Sequence, residues 1–181
     1  MITRKKQKEL IAKSLKLLKK AHVAITPGEA KNIETADFGL GQPESTGLQL
    51  IIYVNSKRCC AKELILLPYQ TCPQHRHPSV KGERGKEETF RCRWGKVFLY
   101  VPGKPASKPG CKPPSGNEKY YTVHHQITLT PGQQYTLPPD KWHWFQAGSE
   151  GAVVSEFSTR SLDRFDIFLD PHVQRKTIIV D

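Results

Sequence analysis

The chain has 181 residues, 37% of them hydrophobic and 25% charged, so it has enough apolar content for one packed domain and is not a disordered chain. No run approaches the roughly 20 apolar residues of a membrane span, and the lysine-rich N-terminus lacks the apolar segment that directs secretion. The net charge is +11, but residues 1–20 contain eight Lys or Arg and one acidic residue, so this segment carries +7. A solvated helix face explains most of the excess, and we expect neither nucleic-acid nor membrane binding.

Two helices are predicted near the N-terminus. Leucine and isoleucine recur at spacings of three and four over residues 2–23, with lysines between them, which indicates an amphipathic helix. The run Thr26-Pro27-Gly28-Glu29 is typical of a helix start and predicts a second, short helix through about Ile33. We therefore assign residues 1–34 to a helical segment and residues 35–181 to the main part of a single domain.

After Gly47 the pattern changes to short β runs separated by Gly, Pro and Asn. The predicted strands are Leu48–Val54, Cys59–Leu67, Glu88–Val101, Tyr120–Leu129, Gln133–Leu137 and Ala152–Phe157. We expect Gly95-Lys96 to divide the longest run into a hairpin, residues 102–118 to form an exposed loop, and Thr177–Val180 to add an edge strand. Many short strands with this punctuation favour a mainly β sandwich or small barrel.

The cysteines favour a reducing compartment. There are five of them, an odd number, two are the adjacent Cys59 and Cys60, and no Cys-x-x-Cys occurs. This pattern is neither a disulfide framework nor a zinc-site spacing. We therefore expect free thiols and a cytoplasmic protein.

Three histidines and one glutamate form a candidate metal site. His75 and His77 are two residues apart, so on a strand both side chains point to the same face. Glu88 follows at the start of a β run, and His143 comes later, between two tryptophans. Three imidazoles and one carboxylate suit a divalent first-row metal such as Mn, Fe, Co, Ni or Zn.

The spacing of these residues resembles the two motifs of the cupins. The matching features are His75-x-His77, Glu88 with six residues to Gly95, and Gly132 with five residues to Pro138 and His143 beyond. The spacing to Gly95 favours Glu88 over its neighbour Glu87. Two departures are a longer gap from His77 to Glu88 and Asp140, where the motif usually has glycine. The resemblance implies a mainly β, jelly-roll-like antiparallel barrel of the cupin type, preceded by one or two helices.

A longer set of segments resembles the bacterial D-lyxose isomerases. These segments are Cys60–Leu64, Thr71–Pro78, Gly85–Arg93, His143–Gly148 and Phe165–Phe168. The resemblance implies an aldose–ketose isomerase that uses Mn²⁺, and the ligand set suits Co²⁺ or Ni²⁺ as well. It implies that the partner is a monosaccharide, D-lyxose or D-xylulose and often D-mannose or D-fructose, and that the protein is a homodimer.

This reaction suggests roles for further residues. Moving a proton between C1 and C2 needs a group that polarises the carbonyl, which the metal can supply, and a base that does not ligate the metal. Glu156 is the leading candidate for the base, because a carboxylate inside an apolar strand exchanges protons near neutral pH more readily than an exposed one. Lys62 can stabilise the developing oxyanion. Asp163 and Asp166 can hold sugar hydroxyls or serve as the base instead.

Sugar contacts and two competing functions stay open at this level. Phe90 and Trp144 would offer flat apolar surface to a sugar, and Gln146 a hydrogen-bond partner for a hydroxyl. The same ligand set also suits an Fe(II) dioxygenase, which oxygen dependence would reveal, or a sugar-binding cupin without turnover. A phosphorylated substrate is a third alternative, for which the candidate anion-binding side chains are Arg91, Arg93 and Arg164.

Overall fold

A computed structural model describes all 181 residues, with two α-helices, eleven strands and two short 3₁₀ turns. The helices are α1 (Arg4–Lys20) and α2 (Pro27–Lys31), and the 3₁₀ turns cover Glu118–Tyr120 and Asp163–Phe165. The strands are β1 (Ile2–Thr3), β2 (Glu34–Ala36), β3 (Leu48–Asn55), β4 (Cys60–Leu66), β5 (Thr71–Arg76), β6 (Glu88–Val101), β7 (His125–Leu129), β8 (Gln134–Leu137), β9 (His143–Ser158), β10 (Ile167–Phe168) and β11 (Ile179–Val180). Neither helix has the length and apolar character needed to span a bilayer.

Both predicted helices are present and slightly shorter than predicted. In α2 the expected capping box forms, since the Thr26 side chain accepts from the Glu29 N–H at 3.2 Å and the Glu29 carboxylate accepts from the Thr26 N–H at 2.6 Å. Before α1, the unpredicted strand β1 pairs in parallel with β11, so the expected C-terminal edge strand is confirmed. The apolar side of α1 covers the outer face of the sheet, and most of its lysines are exposed to solvent.

Nine strands form one antiparallel sheet that curls around an apolar interior. β9 lies at its centre and pairs with β6 along nearly its whole length. On its other edge β9 pairs with β5 through its first half and with β4 through its second half. β3 and β2 follow β4, β10 follows β5, and β7 and β8 pair with the free edge of β6. The predicted mainly β, antiparallel architecture with N-terminal helices is confirmed.

The β6–β9 ribbon folds over at two glycines, which brings its two ends together. The expected hairpin at Gly95-Lys96 is wrong, because β6 continues through these residues with shifts of register on both sides of Gly95. Gly95 has a φ of +73°, and a Cβ there would lie 2.1 Å from the carbonyl oxygen of Gly151, so the chain needs glycine at this position. Glu88 and His143 lie at opposite ends of the ribbon, yet Oε1 of Glu88 is 3.0 Å from Nε2 of His143.

Three further strands were missed by the sequence pattern, and two predicted runs were misplaced. β2 and β10 are short. β5 has a polar sequence with a proline and an irregular register against β9, so no alternation marks it as a strand. The predicted run Tyr120–Leu129 begins as a 3₁₀ turn and becomes a strand only at His125. The predicted run Ala152–Phe157 is the second half of β9.

Candidate metal and catalytic site

Three buried histidines meet inside the barrel. His75 and His77 come from β5 and the residue that follows it, and His143 begins β9 directly opposite His75. Their ring centroids are 4.2 Å apart for His75 and His143, 4.9 Å for His75 and His77, and 5.3 Å for His77 and His143. One nitrogen from each ring lies within 4.8 Å of the others, so the cluster could bind a metal.

Each of the three rings uses Nδ1 for a hydrogen bond to oxygen. The partners are the carbonyl of Pro73 at 2.8 Å for His75, the carbonyl of Lys141 at 3.0 Å for His143, and the Asp166 carboxylate at 2.6 Å for His77. A proton held on Nδ1 leaves Nε2 with a lone pair, which is how histidine presents itself to metals in proteins. Nε2 of His143 is buried and, although an oxygen of Glu88 lies 3.0 Å away, makes no hydrogen bond of good geometry, so the donor set fits a divalent cation.

Glu88 is the fourth member of the cluster. Its Oε1 lies 3.1 Å from Nε2 of His77 and 3.0 Å from Nε2 of His143, and its Oε2 lies 2.6 Å from the Lys86 ammonium. Burial acts to raise the pKa of Glu88, but Lys86 and His77 outweigh it and hold that pKa well below the usual range. Glu87 is exposed and takes no part, so the structure brings Glu88, as expected, to the histidines.

The histidines differ in how they titrate without a cation. Burial and the two neighbouring imidazoles lower the pKa of His75 well below its usual value, so this ring stays neutral. Burial and Lys86 also act to lower the pKa of His77, but Glu88 and Asp166 outweigh them and raise it to about 9. A cation that binds Nε2 of His77 must therefore displace a proton near neutral pH.

Glu156 lies in the same cavity, opposite Lys62 on β4 and Phe90 on β6. Its Oε1 is 2.9 Å from the Lys86 ammonium, 3.3 Å from the Ser158 hydroxyl and 3.9 Å from the Lys62 ammonium. The apolar surroundings expected for this carboxylate are therefore not present, because inward positions of the neighbouring strands carry charge. Oε2 makes no hydrogen bond to the protein, which leaves it available to a ligand.

The Lys62 ammonium is held in a fixed position. It donates to both carboxylate oxygens of Asp163, at 3.1 and 2.9 Å, and to the Ser161 hydroxyl at 2.9 Å. Burial acts to lower the pKa of Lys62, but Glu156 and Asp163 outweigh this and raise it, so the side chain is a cation and not a base. Asp163, expected to hold a sugar hydroxyl or to serve as the base, is instead engaged by Lys62 and by Arg175 at 3.2 Å.

The three residues expected to contact a sugar divide between two sides of the barrel wall. Phe90 lines the cavity and packs 5.2 Å from Phe145, centroid to centroid. Trp144 and Gln146 alternate with the inward residues of β9 and point away from the cavity. Trp144 stacks on Tyr100 at 4.0 Å, and Gln146 donates to Thr71, so their placement does not support the expected sugar contacts.

Two cavity residues were missed by sequence analysis. Lys86 contacts both Glu88 and Glu156, and its position two residues before Glu88 could have suggested the same strand face. Arg175 lies in the C-terminal tail and reaches both Glu34 and Asp163. No local pattern marks Arg175, because its partners are 141 and 12 residues away.

Proteins of known activity resemble this chain over its full length. The family model described as D-lyxose isomerase matches residues 110–181. The D-lyxose/D-mannose isomerase of Thermosediminibacter oceani is 60% identical over 181 residues and covers all of both chains. The D-lyxose ketol-isomerase of Cohnella laeviribosi is 60% identical over 163 residues, which is 90% of each chain. A protein of the same name from a Thermofilum species is 53% identical over 180 residues, 99% of this chain and all of the other.

Solved structures with the same fold are much more distant in sequence. L-ribose isomerase of Cellulomonas parahominis superposes with a TM-score of 0.80 at 17% identity, over 99% of this chain and 98% of the other. L-ribose isomerase of Acinetobacter sp. DL28 in complex with L-ribose gives the same values. At this identity the likeness concerns the fold, and it agrees with the curled antiparallel sheet and N-terminal helix described above.

Proposed function

The chain belongs to the D-lyxose isomerase family and is a sugar isomerase, and we propose that it interconverts D-lyxose and D-xylulose through an enediol. We extend the proposal to D-mannose, which has the same configuration as D-lyxose at C2, C3 and C4, and to D-fructose, which has the same configuration as D-xylulose at C3 and C4. The observation that carries it is Glu156, a buried carboxylate with one free oxygen in the same cavity as three clustered histidines whose nitrogens could bind one metal ion. Relatives named for these sugars, at 53 to 60% identity, support the choice of substrate.

His75, His77, Glu88 and His143 would hold a divalent cation, which we propose is Mn²⁺, with Co²⁺ or Ni²⁺ as substitutes. When bound, such a cation polarises the sugar carbonyl and stabilises charge on its oxygen. The unpaired Nε2 of His143 and the mixed nitrogen and oxygen donor set support a first-row divalent ion. In this proposal Asp166, which bonds Nδ1 of His77, orients a ligand and is not the base.

Glu156 would move the proton between C2 and C1. Its free Oε2 would take the proton from C2 of the aldose and return it to C1, while Lys86 and Ser158 hold Oε1 in place. The proton of the C2 hydroxyl would pass to the oxygen on C1 in the same conversion. A fixed carboxylate that does not ligate the metal is what this step requires. The reverse reaction takes the proton from C1 and returns it to C2, so we expect both directions of the reaction to depend on Glu156.

Lys62 would stabilise the negative charge that develops on the enediol oxygen. Its ammonium is buried, permanently charged and 3.9 Å from Glu156, and its contacts to Asp163 and Ser161 fix its direction. A preorganised charge in a site sheltered from water is worth more than the same charge in solution. Phe90 would provide an apolar wall for the carbon chain of the sugar.

The proposed function can be tested in one anaerobic assay. The purified protein is stripped with a chelator, supplied with Mn²⁺, Co²⁺, Ni²⁺, Fe²⁺ or Zn²⁺ in separate samples, and mixed with D-lyxose while D-xylulose is measured. We expect ketose formation without oxygen, lost on chelation and restored by Mn²⁺. Turnover that needs oxygen would instead indicate a dioxygenase, and no ketose from D-lyxose or D-mannose with any metal would overturn the proposal.

We also propose that the protein is a cytoplasmic homodimer. An odd number of cysteines, two of them adjacent, supports a reducing compartment. On the outer face of the sheet, beyond the part that α1 covers, Ala61 on β4 pairs with Val54 on β3 and with Phe157 on β9. Val54 is 42% exposed and Phe157 is 50% exposed, so the three neighbouring residues form an apolar patch. Such a patch supports contact with a second copy of the chain. Sedimentation equilibrium of the wild type and of Phe157→Glu tests this, and a monomeric wild type would contradict it.

A further inference from the structure

A wider outer cavity adjoins the catalytic cavity. The inner cavity has a volume of only about 40 Å³, room for about three water molecules. The outer cavity has a volume of about 220 Å³, and His77, Lys86 and Asp166 line both. With C1 and C2 of an open-chain sugar at the histidines and Glu156, the inner cavity is too small for the whole sugar, and the outer cavity lies next to it across His77, Lys86 and Asp166.

The outer cavity is lined by cations from three separate loops. Lys57 and Arg58 come from the β3–β4 turn, Arg84 from the β5–β6 loop, and Arg160 from the residues just after β9. All four side chains are exposed, and only Arg160 forms an ion pair, at 3.8 Å with Glu83. The other acid on the wall, Asp166, is already bonded to His77. Three cations at the mouth of the site therefore have no partner in the protein.

We propose that the outer cavity binds a phosphate carried at the far end of an open-chain aldose, so that the enzyme also isomerises terminally phosphorylated aldoses. The inference rests on the proposed function, because the same C1 and C2 chemistry must occur at the inner cavity. Guanidinium groups match the oxygens of a phosphate in charge and geometry. A cleft lined by one sign of charge also raises the local concentration of ligands of opposite charge. One proton moves from C2 to C1, a second moves from the oxygen on C2 to the oxygen on C1, and the phosphate ester stays intact, so no co-reactant is needed.

The arginines that sequence analysis named for an anion site are not those that line this cavity. Arg91 is on β6 and bonds Gln134 on β8, and neither Arg93 nor Arg164 lines the outer cavity. The cavity is formed by loops that are distant in sequence, so the convergence of Lys57, Arg84 and Arg160 is visible only in the folded chain.

The test compares D-mannose with D-mannose 6-phosphate on the metal-loaded enzyme at low and high ionic strength. For the wild type at low salt we expect KM for the phosphate ester to be about tenfold lower than KM for D-mannose, as two charge-assisted contacts would give. In Arg84→Gln/Arg160→Gln that preference disappears, so that KM for the phosphate ester becomes similar to KM for D-mannose in the same variant. The matched control, Lys8→Gln/Lys16→Gln on α1, removes the same charge from an exposed surface and keeps the preference. High salt weakens the preference in the wild type.

Three results separate the possible failures. D-mannose turnover without turnover of its 6-phosphate, or with no lower KM for it, overturns this inference and leaves the proposed function standing. Competitive inhibition by inorganic phosphate without turnover of the ester also overturns it, since the cavity then binds anions only. No turnover of either free or phosphorylated sugar overturns the proposed function as well.

Discussion

The two ends of the barrel interior are built from the same strands and have opposite character. At the open end, inward positions of β4, β6 and β9 carry Lys62, Glu88 and Glu156, and nearly every charge there has a partner within 4 Å. Toward the fold of the β6–β9 ribbon, inward positions of β6 and β9 carry Leu99 and Val154, which belong to the continuous apolar core. Strand periodicity decides which residues face inward, but it does not decide whether they are polar.

The difference indicates that the two ends serve different purposes. Buried ion pairs contribute little net free energy to folding, because the cost of desolvating the charges offsets most of their attraction. Buried aliphatic side chains contribute roughly 1.5–3 kcal/mol each. The charged end is therefore maintained for chemistry and the apolar end for stability. Substitutions at the two ends should separate these properties.

The largest effect is expected at the charged end, from Glu156→Gln. This change removes the proton-carrying group while it keeps the shape of the side chain, so turnover of D-lyxose should fall about 10²- to 10⁴-fold with the metal still bound. Steady-state kinetics and metal analysis on the same sample measure both. The matched control is Glu63→Gln, an equally buried carboxylate on β4 that faces the outside of the barrel and bonds Ser155. Near-normal turnover in Glu156→Gln would move the role of the base to Asp163 or Asp166.

At the apolar end, Leu99→Ala should affect stability and leave chemistry intact. Leu99 is 1% exposed, and truncation of such a side chain costs about 2–5 kcal/mol of unfolding free energy. Urea denaturation measures the loss, and KM for D-lyxose should stay within error for the folded fraction. Ile178→Ala, at a half-exposed position in the tail, should change stability by less than about 0.5 kcal/mol. A loss of metal affinity in Leu99→Ala would show that the two ends are coupled.

How well the sequence predicts the molecule also differs between the two ends. The apolar core follows from alternation along strands, so most strands could be placed, although the fold of β6 at Gly95 depends on its approach to Gly151 in space. At the charged end, His75-x-His77, Glu88 and His143 could be chosen because motif spacing links them. Arg175 could not be chosen from the sequence, because only folding brings the C-terminal tail to Asp163. Its contribution is a long-range ion pair, which no local pattern encodes.

A smaller effect is expected from Asp166→Asn, which tests the positioning of a metal ligand. The Asp166 carboxylate accepts from Nδ1 of His77 at 2.6 Å, and loss of such a partner typically lowers metal affinity about 10- to 100-fold. Competition with a chelator measures the affinity of the folded protein for Mn²⁺. Glu87→Gln, at an exposed carboxylate close to the site, is the control and should leave affinity unchanged. An unchanged affinity in Asp166→Asn combined with lost turnover would instead favour Asp166 as the base.

The smallest effect concerns the dependence of stability on pH at the charged end, through Asp163. Burial acts to raise the pKa of Asp163, but the ammonium groups of Lys62 and Lys86 and the guanidinium of Arg175 outweigh it and hold the pKa well below its usual range. A carboxyl whose pKa is lowered by folding contributes stability above its unfolded pKa of about 4, and that contribution is lost as pH falls toward the folded pKa.

Asp163→Asn should therefore be less stable than the wild type near pH 7, and the difference should shrink as the pH falls below about 4. We expect about 1–2 kcal/mol, less than for a fully buried pair, because Asp163 is 22% exposed and Lys62 keeps its contacts to Ser161 and Glu156. Urea denaturation of both proteins from pH 3 to pH 8 measures this difference in unfolding free energy. Asp140→Asn, which changes an exposed carboxylate, is the control. A difference that stays constant over this range would mean that Asp163 stabilises the fold through its hydrogen bonds and not through its charge. The apolar end carries no charge to titrate, so Leu99→Ala should lose the same free energy at every pH.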